Sequence, residues 1–176
     1  MSSESLQSLR EVILFSFGRA YTDYMVGLIE GKPDLFNDFM TIYLANEEPV
    51  SRRAAWPIDV YSEQHPEALL PYLGTMVEKL PSFKHDGMKR HTLRMLHRSP
   101  LPHDNLGQFI NHCFDLLISP TESASVKVYC MEILYRLTKT EPDLKKELAD
   151  SIEWRMNEET PGFKVRGKRI LKELYR

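Results

Sequence analysis

The apolar positions of the chain fall into two alternating kinds of segment. In the first kind they recur at every fourth residue: Leu35, Phe39, Tyr43; Leu69, Leu73, Val77; Leu106, Ile110, Phe114; and Leu144, Leu148, Ile152. That spacing lays each set along one face of a helix. The second kind follows each of these and repeats as a block: VSRRAAWPI (50–58), MKRHTLRML (88–96), VKVYCMEIL (126–134) and FKVRGKRIL (163–171). Stacked without gaps, the blocks are offset by 38, 38 and 37 residues. Their first column is Val50, Met88, Val126 and Phe163, and their last is Ile58, Leu96, Leu134 and Leu171, which predicts core at both. The fifth column is Ala54, Thr92, Cys130 and Gly167, always small, which predicts that a neighbouring backbone comes close there.

The chain thus reads as four pairs of helices, A then B. Pro33, Pro66, Pro102 and Pro142 stand just before the A helices, where a missing N–H is harmless. Asp34, Asp104 and Asp143 place negative charge at three of those four starts, favourable against the helix dipole. The turns between A and B carry NEEP, KHDG, SPTESAS and NEETPG, all turn-forming chemistry. Residues 4–16 and 20–30 also read as helical, with Gly18 between them. No alternating β pattern of convincing length occurs. A single pair cannot cover its apolar face, so stacked pairs share one core and need caps at the ends. The expectation is an all-α, right-handed α-α superhelix in a single domain, with capping helices in 1–32 and repeats at 33–65, 66–101, 102–141 and 142–176.

A two-helix unit of this length, with LLPYL (69–73) in an A helix and B helices opening VK, MK or FK, resembles the HEAT repeat. More narrowly, RRAAW, HPEALLPYL, MKRHTLRML and ASVKVYCMEIL look like a family of small bacterial HEAT-repeat proteins, a resemblance covering roughly residues 20–176. It implies fold far more than activity. In such solenoids the B helices line the concave surface, so basic residues on them are expected to face a partner.

Composition narrows the functional classes. The chain has 176 residues, 42% apolar and 27% charged, with a net charge of −2. As a whole it is not a strongly basic nucleic-acid binder. No apolar run approaches the ~18 residues of a membrane helix, and MSSESLQSLR does not read as a secretory leader, so a cytoplasmic location with no membrane partner is expected. Cys113 and Cys130 sit in apolar segments as two buried thiols, with neither disulfide nor zinc spacing.

Candidate chemistry is sparse. The sequence has no GxSxG, HExxH, CxxC or phosphate-cradling glycine loop, and no catalytic residue or cofactor is expected. His85, His91, His97 and His103 are spaced six apart. Six residues turn a helix by about 240°, so neighbouring rings point away from one another and no metal site is expected. Glu48, Asp86, Glu122 and Glu159 lie just upstream of Arg52, Lys89, Lys127 and Lys164, which predicts a ladder of exposed ion pairs. Arg90, Arg94 and Arg98 form a stripe at i, i+4, i+8, and FKVRGKRILKELYR carries six basic residues against one Glu. Solvated helix faces would explain both; a groove for an anionic partner would as well.

Two residues break the repeat. Pro57 falls inside a helix in the column of Met95, Ile133 and Ile170, where it costs about 3 kcal/mol and should bend the axis. Trp56 shares a column with Arg94, Glu132 and Arg169, polar elsewhere, so it either packs on the N-terminal helices or serves as an exposed anchor. The functional expectation is a non-catalytic protein-interaction module or scaffold, with Arg53, Trp56, Arg90, Arg94, Arg98, Lys168 and Arg169 as the partner-binding residues. The alternative is nucleic-acid binding through a basic concave face, in the manner of HEAT-like DNA-alkylation-repair proteins.

Overall fold

The computed structural model describes residues 3–102 and 104–176, and within them every regular element is helical. The helices are α1 (Ser3–Phe15), α2 (Arg19–Gly31), α3 (Leu35–Leu44), α4 (Val50–Gln64), α5 (Leu73–Lys79), α6 (Asp86–Arg98), α7 (Leu106–Ile118), α8 (Ala124–Leu137), α9 (Leu144–Arg155) and α10 (Pro161–Leu174). The second A segment is the exception to the simple pairing. It opens as a 3-10 helix, Pro66–Tyr72, continues as α5, and closes as a second short 3-10 turn, Leu80–Ser82. The cause is Pro71, inside LLPYL: it donates no N–H and its ring crowds the preceding turn, so α-helical hydrogen bonding is established only after it. The apolar triplet is indifferent to this change, since Leu69, Leu73 and Val77 are all buried.

The chain divides into two compact units between Ser99 and Pro100. In the first, α4 is central and packs on α1, α2, α3 and α6. In the second, α8 packs on α7, α9 and α10. The predicted core columns hold in both: Val50, Met88, Val126 and Phe163 are buried, as are Ile58, Leu96 and Leu134, while Leu171 is half-buried. The small column is buried throughout, but the crowding has a different source from the one expected. At Gly167 a Cβ would stand 2.9 Å from Ile152 Cγ2 and 2.9 Å from Met156 Cε, so side chains of α9 and of the residue just after it, not backbone, fill the space. Thr92 meets another buried side chain, sharing a short hydrogen bond with Tyr43 Oη. Cys113 and Cys130 are buried free thiols.

The helix starts also sort by type. The expected acidic residues Asp34 and Asp143 occupy N-cap positions but make no side-chain capping bond, so they act through charge alone. Three B helices are capped directly: His85 Nδ1 accepts from Gly87 N–H, Ser123 Oγ from Val126 N–H and Thr160 Oγ1 from Phe163 N–H. α4 runs unbroken through the buried Pro57. Between α1 and α2 the chain turns at Gly18, whose φ of 104° is open to glycine and strained for other residues.

Candidate functional site

Among the described residues of the first unit, α2, α4, α6 and the segment 16–18 surround a cleft of about 420 Å³. Its lining contains Arg52, Arg53, Trp56, His85, Arg90 and His91, and includes no carboxylate. The floor is organised from below by Asp59, one helical turn beyond Trp56 and fully enclosed. His91 Nδ1 lies 2.8 Å from Asp59 Oδ2, and Arg90 Nη2 lies 3.2 Å from His91 Nε2. A guanidinium only donates, so Nε2 is the acceptor and the ring hydrogen sits on Nδ1, donating to Asp59. The carboxylate fixes the imidazole tautomer, and the imidazole fixes Arg90. Trp56, half-buried, stacks on the same imidazole at 6.4 Å between ring centres.

The opposite wall is held by the turn between α1 and α2. Arg53 donates Nη1 to the carbonyl of Leu14 at 2.7 Å, and its guanidinium lies 5.9 Å from the centre of the Phe17 ring. Arg52 donates Nε to Glu48 at 3.0 Å, and its stem runs beside Gly87, where a Cβ would come within 3.7 Å of Arg52 Cδ. Trp56 is neither enclosed nor fully exposed: it is half-buried, rests on His91 of α6, and lines the cleft together with Phe17, Thr22 and Met25 of the N-terminal segments.

The structure separates the predicted basic stripe. Arg90 lines the cleft, but Arg94 and Arg98 turn onto Asp59: Arg94 Nη1 lies 2.7 Å from Oδ2 and Arg98 Nη2 2.8 Å from Oδ1. Both also approach Glu63. Burial by itself would raise the Asp59 carboxyl. The His91 hydrogen bond and the charge of Arg98 outweigh it, and the group is held below the usual aspartate range. Arg94 and Arg98 are thereby internal counter-ions, because a carboxylate buried this far needs them.

In the second unit Lys168 is exposed, whereas Arg169 donates Nη2 to Glu132 at 2.6 and 2.8 Å, joined on the same carboxylate by Arg166 at 2.8 Å. Glu132 and Arg169 occupy one column of the repeat, while Tyr135 shares a short hydrogen bond with Glu173, one residue beyond its own column-mate Lys172. The predicted ladder of exposed pairs holds at Arg52–Glu48. It fails as a description of Lys127, which pairs with Glu159, the acid of the following turn, with side-chain exposures of 3% and 5%. Arg155 completes this buried triad, donating Nη2 to Glu159 at 2.7 Å. Lys164 instead donates to the carbonyl of Asn157 at 3.2 Å.

The hubs Asp59, Glu132 and Glu159 were not singled out from sequence as buried centres. For Asp59 a signal existed: it stands within the buried stripe Ala55, Ile58, Ser62, a place where an ion requires partners. Among the described residues, no group of three or more His, Cys, Asp or Glu side chains is placed to hold a metal ion. His85 caps a helix and His91 binds Asp59; His103 lies outside the described residues. Again among the described residues, no helix is long and apolar enough to cross a membrane.

No curated protein and no solved structure matches the chain significantly. The family model for the HEAT repeat domain matches residues 9–174, nearly the whole length. The paired helices, the period near 38 residues and this match agree: the chain belongs to the HEAT repeat family.

Proposed function

We propose that the protein is a non-catalytic interaction module whose recognition site is the cleft on the first unit, and that it takes an acidic segment of a partner protein. The observation that carries this reading is the composition of the cleft. Three guanidiniums and a tryptophan border one concavity whose lining contains no carboxylate. Arg and Trp dominate binding energy where they are held rigid and partly desolvated, and here Arg53, Arg90 and Trp56 are each fixed by a named neighbour. The one arrangement that resembles catalytic machinery supports binding instead. Asp59 and His91 pair as in an acid–base dyad, but Nε2, where a nucleophile would have to sit, faces the Arg90 guanidinium.

The test is a binding screen of the full chain against short acidic, neutral and basic peptides and a DNA duplex, repeated with Arg53→Glu and Arg90→Glu. Acidic peptides should bind the parent, and both variants should lose about tenfold or more in affinity, more than ~1.4 kcal/mol. Duplex binding through the same arginines, falling steeply with salt, would replace this reading with a nucleic-acid one. Turnover of any substrate that depends on His91 would remove it.

A further inference from the structure

We propose that the cleft contains a subsite for a doubly charged phosphoryl group carried on a side chain of the partner segment, a proposal that rests on the recognition reading above. The first support is the character of the hydrogen-bonding groups. Arg52 uses Nε on Glu48, Arg53 uses Nη1 on Leu14, and Arg90 uses Nη2 on His91, each leaving further N–H groups of the same planar fork. His85 accepts the Gly87 N–H at Nδ1, so the neutral ring carries its hydrogen on Nε2. Arg52, Arg53, Arg90 and His85 therefore each have a donor to offer the space, while His91 spends its one N–H on Asp59.

The second support is charge. Arg52, Arg53 and Arg90 border the cleft, and Glu48 is the carboxylate paired with them, through Arg52. Two cationic charges are left without an opposite in the site. One carboxylate would offset half of that excess. A phosphomonoester, at about −1.5 to −2 near neutral pH and with three acceptor oxygens, offsets nearly all of it. Guanidinium forks also match phosphate oxygens in pairs.

The third support is that the cationic groups are positioned before any ligand arrives. Arg90 is anchored through His91 to the buried Asp59, and Arg53 is held between the Leu14 carbonyl and the Phe17 ring. The cost of ordering these long side chains has been met within the fold. Trp56, Phe17 and Met25 supply apolar wall around the same space, so the residue bearing the phosphoryl group, or its neighbour, should be apolar in body.

The experiment follows the indole Nε1–H resonance of Trp56 in the full chain by NMR, with Trp154 of the other unit as the internal reference. The probes, at fixed ionic strength, are phenyl phosphate and benzoate, then peptide pools with a central phosphorylated residue, the same residue unmodified, or glutamate. Phenyl phosphate and the phosphorylated pools should shift Trp56 selectively and bind about tenfold tighter than benzoate and the glutamate pools. Arg52→Gln, Arg53→Gln and Arg90→Gln should each weaken that binding, with Lys145→Gln unchanged; three separate arginines keep the test valid if one variant folds poorly. Equal binding of glutamate and phosphorylated pools would overturn the phosphoryl subsite and leave acidic-segment recognition standing. No shift of Trp56 with any probe or peptide would overturn both.

Discussion

A carboxylate as enclosed as that of Asp59 persists as an ion because three donors converge on it, and its removal is felt by all of them. In Asp59→Asn the charges of Arg94 and Arg98 lose this counter-ion and retain Glu63. Breaking a buried pair costs about 3–5 kcal/mol, and the partial rescue by Glu63 puts this variant near the lower end. The pH dependence has a definite sign. The folded carboxyl titrates below 3.8, its value without the fold, so its contribution is complete above that pH and is lost as pH falls through the folded value. Urea unfolding at pH 7, 5, 4 and 3 should show a parent–variant gap that is constant from 7 to 5 and narrows below about 4. A gap that persisted unchanged at pH 3 would show that the stability comes from shape and not from ionisation. At this scale the sequence was legible in part. It marked Trp56 and Arg90, both of which border the cleft, but a run of arginines at i, i+4, i+8 does not disclose that two of them serve a buried acid on another helix.

Helices meet in this protein where the repeat alignment placed its columns, and the alignment also identifies the weak points. Gly167 on α10 faces Ile152 of α9 and Met156 at the end of that helix, with no room for a methyl group. Gly167→Ala should therefore lose stability: overpacking costs about 1–3 kcal/mol, against about 1 kcal/mol gained in helix propensity. Gly162→Ala on the same helix meets nothing within 4 Å and should be neutral or mildly stabilising. Thermal unfolding of the two variants side by side separates packing from propensity, and equal effects would contradict the packing account. The same alignment explains why Glu132 and Arg169 pair, since column-mates of successive repeats lie beside each other on α8 and α10. It gave no warning of the 3-10 start of the second A segment. The apolar spacing of four is satisfied there, and one proline, Pro71, decides the hydrogen bonding regardless.

For the whole molecule, the charged groups are arranged locally. Each unit contains its own buried acid, Asp59 in the first and Glu159 in the second, with its own basic partners. Burial raises the Glu159 carboxyl, but the hydrogen bonds of Lys127 and Arg155 bring it below the ordinary glutamate range. In repeat proteins stability is a sum of local terms and nearest-neighbour interfaces. Glu159→Gln should accordingly speed amide exchange in α8–α10 by about a hundredfold or more while leaving α2–α4 close to the parent. Hydrogen exchange with mass spectrometry reads this directly, and an equal acceleration in both units would mean that the chain opens as one body. Membership in the repeat family was legible because a period written four times survives individual exceptions. The cleft was not, because it is bordered by the capping turn, the part of the chain outside the period.

That turn attaches Arg53 to the last turn of α1, and the binding proposed above would give the same guanidinium a second attachment, to the ligand in the cleft. Such a side chain makes the two events thermodynamically linked. A ligand that draws the guanidinium inward alters the equilibrium for fraying of the Leu14–Phe17 corner, and by reciprocity anything that grips the corner alters ligand affinity by the same factor. Amide exchange at residues 14–18, measured with and without phenyl phosphate, reports the sign of that coupling. An unchanged rate would show that Arg53 serves the two attachments independently.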